Sequence, residues 1–135
     1  KEVHEQPGIL ERLIHNPPAQ LAETQQLLKS ADRVALIGCG SAYHCALIGS
    51  YLLTEYGVFT QAYQAHEFSR FAQLYGEKSV VLAISQSGET IDTLLAAKSA
   101  KKNGAKIIGI INARGSSLER LADYSLPVGA GQRIC

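Results

Sequence analysis

The chain is 135 residues long, 46% hydrophobic and 19% charged, with a formal net charge of +1. That length suits one domain, and the mix of apolar and charged residues suits a globular core. The near-neutral balance argues against a nucleic-acid face, no apolar run approaches the roughly 18 residues of a membrane span, and the polar start Lys1-Glu2-Val3-His4-Glu5 is no secretory signal. Cys39, Cys45 and Cys135 are an odd count without CxxC spacing. They predict neither a disulfide framework nor a zinc knuckle, and point to a reducing cytoplasm. A chain that starts at Lys1 with no methionine, and stops at Cys135 soon after an apolar strand and a glycine pair, reads as an excised piece of a longer protein.

In chain order, Gln6-Pro7-Gly8 precedes a short helical pattern, Ile9-Leu10-Leu13-Ile14. Pro17-Pro18 ends it and opens a second helix with Leu21, Leu27 and Leu28 on one stripe. Residues 1–30 thus form an N-terminal helical segment, and 31–135 the main domain. Val34-Ala35-Leu36-Ile37 is a continuous apolar run breaking into Gly38-Cys39-Gly40-Ser41, the pattern of a buried parallel strand. A long helix follows over Ala42–Tyr56, closed by Gly57. Phe59–Gln64 reads as a strand and Glu67–Leu74 as a helix. Val80–Ile84 is the clearest strand, followed by Ser85-Gln86-Ser87-Gly88-Glu89-Thr90. Thr90–Lys102 reads as an amphipathic helix with Ile91, Leu94, Leu95 and Ala97 as its apolar stripe, closed by Asn103-Gly104. Lys106–Ile111 is a strand, Ser117–Leu121 a short helix and Tyr124–Val128 a last strand.

Alternating strands and helices predict an α/β fold: a three-layer αβα arrangement around a five-stranded parallel sheet of flavodoxin-like order 2-1-3-4-5. In that order the first and third strands are neighbours at the switch point, where ligands of open sheets bind. The polar loops 38–41 and 85–90 end those two strands.

Loop 85–90 has the chemistry of an anion cradle. Ser85, Ser87 and Thr90 bring hydroxyls and Gln86 an amide, Gly88 permits a tight turn, and the next helix offers free N–H groups and its positive dipole end. Each charge-assisted hydrogen bond contributes about 1.5–3 kcal/mol, so three or four supply much of the roughly 8 kcal/mol of a micromolar ligand. The plainer alternative is a helix cap by Ser87 or Thr90 with Glu89 in the first turn. Gly38-Cys39-Gly40-Ser41 starts like a dinucleotide fingerprint, but Tyr43 stands where the third glycine belongs, and the sequence calls for no cofactor. A nucleophilic Cys39 needs a base, and only His44 is near in sequence; a small, buried thiol is the plainer reading. His4, His15 and His66 have no metal spacing, His66-Glu67 reads as a solvated pair, and Lys98, Lys101, Lys102 and Lys106 as a solvated face. Helix 42–56 carries no charge before Glu55, and its apolar residues surround much of its circumference. It is expected to be buried on several sides, within this domain or against a second domain or subunit.

These residues resemble the sugar isomerase (SIS) domain family. The likeness is carried by Gly38-Cys39-Gly40-Ser41-Ala42-Tyr43-His44, Glu67-Phe68, Ser85-Gln86-Ser87-Gly88-Glu89-Thr90 and Asp92-Thr93-Leu94. Asn112, Ser116-Ser117-Leu118, Ala122-Asp123 and Ala130-Gly131 extend it across nearly the whole chain. Together with the opening Lys1–Pro7, the Gly-Cys-Gly turn is most similar to the first SIS domain of the isomerising glutamine–fructose-6-phosphate aminotransferases. The resemblance implies that Ser85, Gln86, Ser87 and Thr90 hold the phosphate of fructose 6-phosphate while Cys39, Gly40 and Ser41 line the sugar. It also implies a second SIS domain or a homodimer partner, with the isomerase acid/base and lysine groups outside this chain. A deaminase, deglycase or isomerase of the same superfamily, or a non-catalytic phosphosugar sensor, shares the serine loop. Two positions depart from the family pattern. Gly40-Ser41-Ala42 replaces the usual Gly-Thr-Ser, and Arg133 stands where an acid usually precedes the isoleucine.

Overall fold

Strand β1 (Arg33–Gly38) lies between β2 (Thr60–Gln64) and β3 (Ser79–Ser85) in a computed structural model that describes residues 2–131. Strands β4 (Lys106–Ile111) and β5 (Tyr124–Pro127) complete a five-stranded, all-parallel sheet in the order β2-β1-β3-β4-β5. This is the expected order. The alternation along β1 explains why both sheet faces are covered. Ala35 and Ile37 join Phe68, Ala97 and Ile107 on one side, while Val34 and Leu36 join Ala46 and Ile108 on the other. Successive strand side chains point to opposite faces, so an unbroken apolar run demands a layer on each.

Helices α2 (Leu21–Ser30) and α3 (Ser41–Glu55) cover the Val34 face, through Leu27, Leu28, Ala46 and Leu53. Helices α4 (Ala65–Phe68), α5 (Ile91–Lys102) and α6 (Ser117–Leu121) cover the other. Helix α1 (Glu2–His15) runs across the chain's C-terminal side. Among the described residues no helix is long and apolar enough to cross a membrane. Arg133 and Cys135 lie outside the described residues.

Four expectations need correction. Helix α1 begins at Glu2 and continues through Pro7-Gly8, although a proline cannot donate the backbone hydrogen bond of a helix interior. External contacts hold it, including an Arg12 hydrogen bond to the Gly129 carbonyl. Residues 67–74 are not one helix: α4 ends at Phe68 and a separate 3-10 turn spans Ala72–Leu74. The chain bends there to gather Tyr63, Phe68 and Tyr75, whose ring centroids lie 5.4–6.0 Å apart.

The apolar stripe of α5 is right at Ala97, which is buried, and Leu94, which packs against the core, and wrong at its other two positions. Ile91 and Leu95 are 72% and 58% exposed, whereas Thr93, Ala96, Ala97 and Ala100 are buried. Small side chains let the helix lie close on the sheet, and the larger apolar ones are left outside. Helix α3 is not enclosed. Within it only Ala46 and Ser50 are fully buried, while Ile48, Tyr51 and Leu52 are 59%, 61% and 55% exposed. One side meets the sheet and the other is an open apolar face.

Candidate functional site

The carboxyl ends of β1 and β3 are paired up to Ile37 opposite Ala83, so the loops that follow them emerge side by side. Gly38 permits the first loop, because a Cβ there would lie 2.6 Å from the Ala42 carbonyl carbon. The chain can then turn directly into α3. Gly40 takes φ 56° and ψ −125°, a combination open essentially only to glycine.

The second loop is held by its own hydroxyls and by the segment after β4. Ser85 is buried, and its Oγ accepts a 3.0 Å hydrogen bond from the Gly88 amide while lying 3.4 Å from Thr90 Oγ1. Ser87 Oγ accepts from the Glu89 amide at 3.1 Å. The Gln86 carbonyl accepts from the Ala113 amide, and the Gly88 carbonyl from the Leu118 amide, each at 3.0 Å. Gly88 has φ +67°, and a Cβ on it would lie 2.2 Å from Ser116 Oγ. Neither Ser87 nor Thr90 caps α5 with its side chain: Thr90 occupies the N-cap position without a side-chain bond. Glu89 turns away from α5, and its carboxylate accepts from the Ser117 amide at 2.7 Å. The capping alternative therefore accounts for none of the loop's hydroxyls.

Between the two loops lies an open cleft of about 760 Å³. Cys39, Ser41, Ser85, Gln86, Ser87 and Thr90 all line it. Gly40, the remaining candidate, forms the turn behind them. Cys39 Sγ is 3.7 Å from Thr93 Oγ1, while His44 is exposed. The structure thus records a hydroxyl, not an imidazole, beside the thiol. The cleft also has a wall that the loop motifs did not announce: Asn112, Ala113, Arg114 and Ala130. Asn112 carried a signal, since it follows a strand end as the two loops do. Among the described residues that line the cleft, Arg114 is the only charged one, and its Nε lies 3.4 Å from Glu119 Oε1. None of these described residues is a carboxylate, histidine or lysine. Among the described residues no group of three His, Cys, Asp or Glu side chains is placed to hold a metal.

The SIS domain profile matches residues 27–134, which include every strand and both loops. The chain belongs to the SIS domain family. The glutamine–fructose-6-phosphate aminotransferase (isomerizing) of Pyrococcus horikoshii is 37% identical over 136 residues, 99% of this chain and 23% of that protein. This SIS domain therefore spans about a quarter of the length of such relatives. Among solved structures, the C-terminal domain of glucosamine-fructose-6-phosphate aminotransferase from Francisella tularensis is 28% identical with a TM-score of 0.86, over 98% of this chain and 39% of that one. An Escherichia coli protein in complex with arabinose 5-phosphate is 25% identical with a TM-score of 0.86, over 96% of this chain and 70% of that one.

Within the SIS domain, the Ala42 departure falls on the cleft itself, since Ala42 is one of its lining residues. The hydroxyl absent at that position is absent from the cleft wall.

Proposed function

We propose that this SIS domain binds fructose 6-phosphate as part of an isomerising glutamine–fructose-6-phosphate aminotransferase. The observation that carries the reading is the cradle at the N-terminal end of α5, where Ser87 and Thr90 line a cleft whose loop is already tied in place. Hydroxyl donors and a helix N-terminus suit a phosphate without any lysine. Gln86 and Ser85 complete that end, and Cys39, Gly40 and Ser41 face the sugar. The 37% identity to an enzyme so named supports this ligand over other phosphosugars.

Aldose–ketose isomerisation moves a proton between sugar carbons and needs a positioned base. Among the described residues lining the cleft there is no carboxylate, imidazole or amine. This chain therefore binds the phosphosugar and leaves turnover to groups contributed from elsewhere in the parent enzyme, including a second SIS domain. The open face of α3 is the surface for that domain or for a second copy. A cytoplasmic setting belongs to the same proposal; among the described residues Cys39 and Cys45 are free thiols.

A second reading, a sugar-phosphate isomerase or deglycase, draws support from the protein in complex with arabinose 5-phosphate, which superposes equally well. Calorimetric titration of the wild type and Ser87→Ala with fructose 6-phosphate, arabinose 5-phosphate and inorganic phosphate separates the two. Fructose 6-phosphate is expected to bind more tightly than the pentose phosphate, and Ser87→Ala to weaken it about tenfold, the loss of roughly 1.4 kcal/mol. Equal affinity of mutant and wild type removes Ser87 from the site. A preference for arabinose 5-phosphate favours the second reading. Glucosamine 6-phosphate production by the purified chain sinks the claim that it binds without turnover.

A further inference from the structure

The Val128–Gly131 segment closes one side of the cleft, and among the described residues three hydrogen bonds reach it from two places, the end of β4 and helix α1. The Val128 amide donates to the Ile111 carbonyl at the end of β4, at 3.0 Å. Asn112 Nδ2 donates to the Gly131 carbonyl at 3.3 Å. From the far side, Arg12 Nη2 of α1 donates to the Gly129 carbonyl at 2.7 Å. Ala130, between the last two contacts, lines the cleft.

Helix α1 presses on the segment at a second point. A Cβ on Gly131 would lie 3.2 Å from Glu5 Oε2, and Glu5 and Arg12 sit two helical turns apart on the same face. Gly129 has φ +70°, so the chain turns sharply where Arg12 grips it. Asn112 Oδ1 is buried and has no hydrogen-bond partner among the described residues. Its amide cannot rotate to repair this, because the Gly131 carbonyl accepts only and holds the N–H side. Arg12 is a contact from outside the cleft that helps keep the segment in place. A guanidinium N–H is a charge-assisted donor, which strengthens its bond to the carbonyl.

We propose that α1 braces the ligand cleft from outside, with Arg12 as a positioning residue for the wall that faces the sugar end of the ligand. The proposal rests on the phosphosugar reading above. It adds a role for a helix that lies wholly before residues 27–134, the stretch matched by the family. In this reading the phosphate end sits on loop 85–90, and among the described residues the hydrogen bonds of Ser85, Ser87 and Gly88 involve neither Arg12 nor Gly129. Loss of the brace should therefore affect the two ends of the ligand unequally.

The test uses the whole chain as wild type, Arg12→Ala and Arg12→Lys. Each is titrated with fructose 6-phosphate and with inorganic phosphate, and amide hydrogen exchange is followed at Gly129–Gly131. Arg12→Ala is expected to weaken fructose 6-phosphate about three- to tenfold, the scale of one hydrogen bond, and to leave inorganic phosphate unchanged. Exchange at Gly129–Gly131 should accelerate. Arg12→Lys, which keeps a cationic N–H donor on a long side chain, should recover most of both effects. Unchanged fructose 6-phosphate affinity in Arg12→Ala overturns the proposal, and so does equal weakening of both ligands. If the wild type binds phosphate but no phosphosugar, the functional reading falls. The brace then stands or falls on the exchange rates alone.

Discussion

The Glu89 carboxylate accepts a 2.7 Å hydrogen bond from the backbone amide of Ser117, 28 residues further along the chain. The contact joins the serine loop to the start of α6, and it turns an acid away from the end of the cleft that would receive a phosphate. The Gln86–Ala113 and Gly88–Leu118 backbone bonds run in parallel with it. Loop and following segment form one unit.

This bond predicts a site-specific titration. Hydrogen bonds from Ser117, the hydroxyl first and the backbone amide second, hold the Glu89 carboxyl below its ordinary value of 4.5. A depressed folded-state pKa means the contact contributes fully above pH 4.5 and is lost as the pH falls through the lowered value. The Ser117 amide resonance should therefore titrate with a midpoint below 4.5, and should not titrate in Glu89→Gln. A wild-type midpoint at or above the ordinary value contradicts the geometry.

Gly88→Ala should destabilise the chain by about 2–4 kcal/mol, combining a left-handed backbone with an overpacked contact. The new methyl would meet Ser116 Oγ at 2.2 Å. Adding Ser116→Gly removes the collision with that side chain but leaves the backbone penalty and a 3.2 Å approach to Ile111 Cγ2, and it removes the Ser116 cap on α6, so the double variant should recover only part of the loss. Urea denaturation of the three proteins reads this directly. Full recovery in the double variant means the positive φ is of no consequence.

The Tyr63 and Tyr75 hydroxyls lie 2.9 Å apart in the core. Burial first, and the hydrogen bond to Tyr63 second, push the Tyr75 phenol above its ordinary value of 10.0. A raised folded-state pKa gives a stabilisation that is complete below pH 10.0 and lost as the pH rises beyond it. Absorbance titration should show at least one tyrosine ionising only with alkaline unfolding. Tyr75→Phe should cost about 1–2 kcal/mol at neutral pH by stranding the Tyr63 hydroxyl. A thermal midpoint identical to wild type argues that Tyr63 finds another partner.

The outward face of α3 predicts association. Ile48, Tyr51 and Leu52 form a patch that a lone domain has no reason to leave in water. Sedimentation should show a concentration-dependent oligomer, and Leu52→Asp should return it to monomer without lowering the melting temperature. A wild-type chain that stays strictly monomeric at high concentration removes the basis for a second copy on this face.

The strand order and both loops were legible because each rests on local chemistry. Val34–Ile37 and Val80–Ile84 are uninterrupted apolar runs, and each ends in small polar residues. What was hidden depends on packing between distant segments. The buried face of α5 is threonine and alanine, which contrast too little with their neighbours to outweigh Ile91 and Leu95 in a periodicity argument. Pro7-Gly8 advertises a break that tertiary contacts override. Ala130 reaches the cleft only because Val128 pairs with Ile111 and Arg12 grips Gly129, and neither partner is local in sequence. The resemblance to SIS domains named the phosphate loop, and the binding residues it implied include none from α1.

The stitching of loop 85–90 has a thermodynamic consequence. Its conformational freedom is surrendered when the chain folds, so an anion bound there as proposed would meet groups already oriented. The ordering entropy is charged to folding and not to association. Encounter should then be governed by diffusion and desolvation, with little slow rearrangement of the loop after contact.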